Sequence, residues 1–461
     1  MNKKEHILIV GAGLCGSLLA LRMAQRGFKI TLVEKRPDLR KSDISAGRSI
    51  NLAFSNRGIK GISLVGLTKK TEPLCIPMNG RMIHDKTGET FFSPYSGNKS
   101  EYINSISRTD LNALLLNEVE KLPNAEIIFQ QDCKDVDLKS AKAVFEHFET
   151  KKKTELSGDI LIGTDGAGSV VRQSMEADSD MNFRVSEDFL EHGYKELSIP
   201  AGKTEKYRIF KNALHIWPRG ENMLIALPNL DGSFTVTLFM SYKKGEQNFE
   251  QLKSEKSIKA YFEEFYPDAL EQMPDLIKDF SQNPTSPLGT VKCSPWNVQG
   301  KSLLMGDSAH AIVPFYGQGM NASFEDVVVF DEVLDDFEGN WQQIFDEYEK
   351  RRKKDTDAIG DLAIDNFHEM KEHTAAPVFQ QKRKLETAFE QEFPDEFASK
   401  YRLVTFREQI GYNQAMQRGR AQDKAILKLL ENNELSDSLG LKEKLEKVNQ
   451  ATKKMLDGTF S

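Results

Sequence analysis

Ile7-Leu8-Ile9-Val10-Gly11-Ala12-Gly13-Leu14-Cys15-Gly16 is the stretch that decides the fold. Its four apolar residues ended by glycine have the form of a short parallel strand buried on both faces. Leu14 to Arg26 carries apolar residues at helical spacing and stops at Gly27, a C-cap candidate. Ile30-Thr31-Leu32-Val33 is the second strand of a βαβ unit. Gly11 permits the tight turn, Gly13 lets a pyrophosphate approach the backbone, and Gly16 lets helix and strand pack closely. Phosphates would sit on free N–H groups at the helix N-terminus. Glu34 closes the second strand, placed to accept hydrogen bonds from a ribose diol. Glycines alone describe many tight turns, but strand, helix, strand and acid in register describe a dinucleotide site. The acid suits FAD or NAD, and the unit does not choose between them. Cys15, inside the run, is read as a packing residue.

Two further motifs follow. Gly163-Thr164-Asp165-Gly166-Ala167-Gly168-Ser169-Val170-Val171-Arg172 comes after the buried strand Asp159 to Gly163. By itself it reads equally as a glycine-rich turn with Ser169 as N-cap. The third runs Gly306-Asp307-Ser308-Ala309-His310, then Pro314, then Gly317-Gln318-Gly319-Met320-Asn321 into a helix. Asp307, at a strand end, can accept a ribitol hydroxyl. The helix after Asn321 can turn its N–H groups toward a flavin ring and stabilise negative charge near N1 and C2.

Working outward, the chain from Leu74 to Glu101 breaks into short strands with Gly, Pro and Asn turns, and Arg108 to Leu122 reads as a helix. Between about 185 and 290 the pattern is strand-rich. Ala213 to Trp217, Met223 to Leu227 and Phe234 to Phe239 are spaced as an antiparallel sheet. Ser302 to Met305 returns to the parallel pattern, and beyond Asn321 nearly everything is helical. The expected fold is therefore α/β: a Rossmann-like cofactor domain with an inserted antiparallel-sheet substrate domain and a C-terminal helical region. The cofactor domain is discontinuous (1–75, 100–180, 290–335), the substrate domain takes 76–99 and 181–289, and the helical region takes 336–461. In the tail, Ile426, Leu427, Leu430, Leu441, Leu445 and Val448 favour a packed cap over a disordered arm.

Bulk composition narrows the class. The chain has 461 residues, too many for one core, and a net charge of -7, which argues against a nucleic-acid partner. No apolar run approaches the roughly 20 residues that cross a bilayer. The amino terminus enters a strand with no room for a signal peptide. Cys15, Cys75, Cys133 and Cys293 lack metal-ligand spacing and suit a reducing compartment. A cytoplasmic protein without metal is expected; a homodimer stays open.

The three motifs, in this order from Gly11 to Asn321, resemble the single-component FAD-dependent aromatic hydroxylases, the class A flavoprotein monooxygenases. Further runs resemble the branch of that family that acts on L-kynurenine. They are Gly47 to Ala53, Asn79 to His84, Ser105 to Arg108, His192 to Leu197, Leu214 to Pro218, Ala226 to Asn229, Phe234 to Phe239 and Pro314 to Asn321. The resemblance implies FAD as cofactor and NADPH as its reductant, with no second nucleotide fold for the latter. It also implies hydroxylation of L-kynurenine by O2 to 3-hydroxy-L-kynurenine through a flavin C4a-hydroperoxide, in tryptophan degradation leading towards NAD and quinolinate. Another aromatic acid as substrate is the alternative, and a redox-responsive FAD-binding module is a reading of a different class.

For the substrate, the resemblance implies Arg81 as the grip on the carboxylate, a task that suits a guanidinium fork. Tyr95 donates to the same group, Asn366 assists, and Tyr401 is an aromatic nearby. Ile225, Leu227, Phe239, Pro314 and Phe315 form the apolar wall. For FAD it implies Gly11, Gly13, Leu14 and Gly16, with Glu34, Arg36 and Arg40 near the adenosine. Arg108, Asp165 and Asp307 follow deeper along the cofactor, with Gly317, Gln318, Gly319, Met320 and Asn321. Tyr316 stands where relatives carry histidine or phenylalanine, so no obligatory acid–base group sits there. No protein side chain is implied as catalytic, because the flavin carries the chemistry.

Overall fold

A computed structural model describes residues 5–41, 51–337, 339–369 and 377–458. Gly47-Arg48-Ser49-Ile50, part of the first resemblance run, lies outside them. The chain divides into two compact units. The first takes Met1–Cys75, Ile106–Phe189 and Gly289–Gly360, and the second takes Ile76–Ser105, Leu190–Leu288 and Asp361–Ser461. The C-terminal stretch thus falls partly in each. Trp341 packs at a tilt against Phe28 and Phe345 in the first unit, with ring centroids 5.8 and 5.6 Å apart.

The first unit is built on a six-stranded sheet. Its order is Asn297–Val298, Ser302–Leu304, Ile160–Gly163, His6–Val10, Lys29–Val33 and Ala125–Ile128. All neighbours are parallel except the edge pair Asn297–Val298 and Ser302–Leu304. Ile7, Leu8, Ile9, Leu161 and Ile162 are fully buried, as strands covered on both faces require. Val10 pairs with both Val33 and Gly163, so the glycine run leaves the sheet between its central strands. Ligands bind such open sheets at that switch point. The helix Leu14–Gln25 follows, and Gly27 takes the left-handed conformation (φ 95°) just beyond its cap. The helix Arg108–Val119 ends before the expected Leu122, with Pro123 close behind.

One long helix of this unit, Gly319–Asp336, carries two buried carboxylates. Glu325 pairs with Arg57 and, at 2.7 Å, with Arg352 Nη1. Asp326 accepts from Arg352 Nε at 2.7 Å, from His310 Nε2 at 2.6 Å and from the Gly306 backbone N–H at 3.1 Å. Burial would raise the Asp326 carboxyl, but His310 and Arg352 outweigh it and hold it below the ordinary range.

The second unit holds most of a seven-stranded sheet in the order Thr285–Ser294, Arg184–Ile199, Phe234–Ser241, Asn222–Pro228, Leu214–Arg219, Gly80–His84 and Thr90–Pro94. Leu214–Arg219 and Gly80–His84 are parallel, with Leu214 opposite Arg81. The run from Arg184–Ile199 to Leu214–Arg219 is antiparallel, as expected. Between 254 and 282 the expectation of strands is corrected, because the chain forms helices Glu255–Phe265, Pro267–Leu270 and Leu276–Gln282. Ser254 and Ser257 build a capping box, and Ile258, Tyr261, Phe262 and Phe265 recur at helical spacing. These helices bury one sheet face through Trp217, Leu224, Ala226, Val236, Leu238 and Met240. Farther on, helices Pro377–Glu392, Tyr412–Glu431 and Leu441–Leu456 share a core of Phe389, Ile426, Leu429, Leu445 and Val448.

Beneath the helix-covered face runs a hydrogen-bonded chain. His215 Nε2 donates to the Phe210 carbonyl at 2.7 Å, because a carbonyl can only accept. His215 Nδ1 is therefore left as an acceptor 2.8 Å from His84 Nε2, and His84 Nδ1 lies 2.7 Å from Asp268 Oδ2. Trp217 Nε1 donates to the same Asp268 oxygen at 2.8 Å. Burial pushes Asp268 upward, yet the bonds from His84 and Trp217 prevail and hold it below the ordinary carboxylate range.

Two outcomes follow from these buried charges. Arg352→Met leaves Glu325 and Asp326 short of a cation, and urea unfolding should show a loss of about 3–5 kcal/mol. Asp268, a depressed carboxylate, contributes its stability in full above its unfolded value of about 4 and loses it as pH falls through the folded value. The urea midpoint of the unaltered protein should therefore drop more steeply below about pH 4 than that of Asp268→Asn. Equal slopes would remove Asp268 from the acid response.

Candidate active site

At the glycine run, missing side chains make the shape. Gly11 has φ 102°, and a Cβ there would lie 2.5 Å from the Thr164 carbonyl oxygen. A Cβ on Gly16 would lie 2.0 Å from the Gly11 carbonyl oxygen. At Gly13 a Cβ would meet nothing within 4 Å, so that flank is open. Gly13 is also the N-cap of the helix beginning at Leu14, and no side chain caps it. An open flank beside uncapped amides at a helix N-terminus accommodates a pyrophosphate. Glu34 is buried at the end of its strand, where Oε2 accepts the Ala12 N–H at 2.9 Å. Its Oε1 accepts Arg36 N at 3.0 Å and Arg36 Nε at 2.6 Å, which leaves Oε2 a free lone pair for a ribose hydroxyl.

Other expected cofactor residues are divided between exposed and braced positions. Arg40 spends its guanidinium on Asp38, Asn117 and Glu120, bracing the loop against the helix Arg108–Val119. Arg108 is exposed at the start of that helix. Asp165 accepts from Ser169 Oγ at 2.6 Å, Ser308 Oγ at 3.0 Å and Val170 N at 2.7 Å. It thereby ties the second motif to the third. Asp307 is exposed after Gly306, whose φ is 66°. Asn321 is a stitch: its side chain accepts from Ser55 N and donates to the Ala53 and Gly317 carbonyls. Gln318 is buried near Ser55 and caps the helix Gly319–Asp336 without a side-chain bond, so the amides of Gly319 and Met320 stay open. Pro314 is exposed and Phe315 buried.

Sequence reading missed Asn112. Its Nδ2 donates to the Ala12 carbonyl at 3.0 Å, and its Oδ1 is buried without a partner. A polar residue on the apolar face of a predicted helix is the signal that could have found it. Open flank, two uncapped helix starts, a buried carboxylate at Glu34 with acceptor capacity to spare and an exposed Asp307 fit FAD.

The second unit assembles a different site. The Arg81 guanidinium lies 4.6 Å from the Tyr401 ring centre and 5.6 Å from that of Tyr95. The two rings stack at 5.3 Å and 12°. Arg81 Nε and the Tyr95 hydroxyl are buried with no hydrogen-bond partner, and among the described residues no carboxylate pairs with Arg81. Burial lifts both phenols above their ordinary pKa while Arg81 pulls the other way, so both remain O–H donors. Ile225 pairs with Ile216, Ile216 with Ile83, and Met223 with Phe239. Alternation therefore sets Arg81, Ile225, Leu227 and Phe239 on one face of the sheet, opposite the helix-covered one. Asn366 is buried on the helix Trp341–His368. Thr405, one turn beyond Tyr401, adds a hydroxyl beside it that sequence reading had not singled out. A cation, phenol donors and an apolar floor suit a small carboxylic acid with an aromatic body.

Among the described residues, no cluster of His, Cys, Asp or Glu could hold a metal ion, and no helix is long and apolar enough to cross a membrane. Residues 4–363 match the FAD binding domain family. Kynurenine 3-monooxygenase of Myxococcus xanthus is 42% identical over 446 residues, covering 97% of this chain and 95% of that protein. Kynurenine 3-monooxygenase of Dictyostelium discoideum is 42% identical over 93% of this chain and 94% of its own length. That of Flavobacterium psychrophilum is 43% identical, again over 93% and 94%. Among solved structures, tetrameric 2-methyl-3-hydroxypyridine-5-carboxylic acid oxygenase superposes with a TM-score of 0.65 at 18% identity, covering 84% of this chain and 98% of that one. P. aeruginosa PqsL in complex with 2-aminobenzoylacetate gives 0.65 at 16% identity, over 83% and 99%. These structures share the fold. By its relatives and its matched domain, the chain belongs to the kynurenine 3-monooxygenase family of FAD-binding proteins.

Proposed function

We propose that this chain hydroxylates L-kynurenine at ring carbon 3, using FAD, O2 and NADPH, and that it works in the cytoplasm. The observation that carries the substrate is Arg81, held between Tyr95 and Tyr401 with a buried, unpartnered Nε. Such a group can receive an anion that none of the described residues supplies. The kynurenine carboxylate fits it, with Arg81 as the charge and the two phenols as donors. Ile225, Leu227 and Phe239 would lie against the ring and exclude water.

FAD would rest on the open amides at Gly13 and Leu14, on Glu34 through its ribose, on Asp307 through its ribitol, and on the amides of Gly319 and Met320 at the ring. When bound and reduced by NADPH, it supplies the activated oxygen for the transfer. The chain's own residues bind, orient and shield. No protein nucleophile is called for, because the ring amine of kynurenine already enriches the ortho position in electrons.

The decisive test is mass analysis after incubating purified protein with L-kynurenine, NADPH and air. A product heavier by one oxygen is expected, with NADPH oxidation faster for kynurenine than for other aromatic acids; a faster response to another acid would reassign the substrate. Arg81→Ala should weaken kynurenine binding by about 2–4 kcal/mol, as when one partner of a buried charge pair is removed. FAD content should stay normal. Unchanged affinity would take Arg81 out of the site.

A further inference from the structure

We infer that Glu390 is a positioning residue that sets the spacing of Tyr95 and Tyr401, and through it the affinity for the substrate carboxylate. The inference rests on the proposed reading of Arg81, Tyr95 and Tyr401 as the carboxylate site. Glu390 lies in the helix Pro377–Glu392 and is 1% exposed. Its Oε2 accepts the backbone N–H of Gly97 at 3.0 Å, and its Oε1 accepts that of Ser399 at 2.9 Å. Gly97 stands two residues after Tyr95, and Ser399 two residues before Tyr401. A single carboxylate therefore spans the two backbone segments that carry the stacked rings.

Independent contacts hold the same segment. Arg383 Nη2 donates to the carbonyls of Pro94 at 3.0 Å and Tyr95 at 3.1 Å. Arg402, next to Tyr401, is bidentate to Glu101 at 2.7 and 3.0 Å. Gly97 is pressed onto the helix, since a Cβ there would lie 2.7 Å from the Gln391 backbone nitrogen and 2.8 Å from the Glu390 carbonyl carbon. Ser399 is the N-cap of the helix Lys400–Phe406, so its position fixes the start of the turn bearing Tyr401. None of these bonds is made by a tyrosine side chain, so they bear on a ligand through where they hold the two rings.

The test uses Glu390→Gln, which keeps shape but turns one acceptor into a donor aimed at an N–H. KM for L-kynurenine should rise about tenfold, as for loss of one charge-assisted bond, with kcat within about twofold and FAD content unchanged. The near-ultraviolet circular dichroism of the free protein should lose the contribution removed by Tyr95→Phe. In the Tyr401→Phe background Glu390→Gln should cost much less, the mark of a coupled pair. A folded Glu390→Gln protein with unchanged KM and dichroism overturns the inference. If that variant does not fold, Gly97→Ala decides by the same readouts. If the unaltered protein neither binds nor turns over kynurenine, the proposed reaction fails, while the dichroism, which needs no substrate, still decides the role of Glu390.

Discussion

The contact on which the first unit depends is the approach of Gly16 to the Gly11 carbonyl, too close for any Cβ. Because they touch, the helix Leu14–Gln25 starts directly over the end of its strand. Thr164 then donates to the carbonyls of both Val10 and Gly11, at 3.0 and 2.8 Å, and locks the neighbouring strand to the same turn. The amides of the first helical turn are left uncapped as a result, with open space beside Gly13. A larger residue at position 16 would lift the helix, and the anion site would lose its donors before it lost its fold.

Around that contact the fold uses buried charge as joinery rather than as bulk stability. Asp326 fixes Gly306 and His310, Arg352 fixes Asp326 and Glu325, and Asp165 fixes Ser308. Each pair loses hydration on burial, so its net contribution is small when intact and its removal is costly. What such pairs supply is a defined position for backbone that has no regular partner. The segments so held include the loops at Gly166 and Gly306, both of which need positive φ.

Much of this was legible in the chain and some was not. The βαβ unit declared itself because strand, glycine run, helix and acid are local in sequence. The antiparallel strands bearing Ile225, Leu227 and Phe239 were legible as short apolar runs between turns, while their place in an apolar wall came only from the family resemblance. Asn112, Asp326 and Glu390 were not, because each bonds a backbone group remote in sequence. Helices at 255–282 were lost in the surrounding strand pattern, although Ser254 and the spacing of Ile258, Tyr261 and Phe265 carried their signal. Arg40, which the family resemblance places near the adenosine, also has partners remote in sequence, since its guanidinium reaches Asn117 and Glu120 as well as Asp38.

Arg81, half-buried with its Nε shielded from solvent, differs from four fully buried arginines in what its guanidinium meets. Arg57, Arg172, Arg352 and Arg402 each have a carboxylate within hydrogen-bond reach. Arg81 instead has two aromatic faces and the neutral Tyr401 hydroxyl, while its Nε is left unpartnered among the described residues. An unpartnered buried donor costs about 1–3 kcal/mol, and the Tyr95 hydroxyl adds a second. That cost persists because the backbone beside each ring is tied down elsewhere, at Gly97, Glu101 and Ser399. A ligand that brings its own negative charge would satisfy both donors, and a surround already held in place would lose little freedom when it binds.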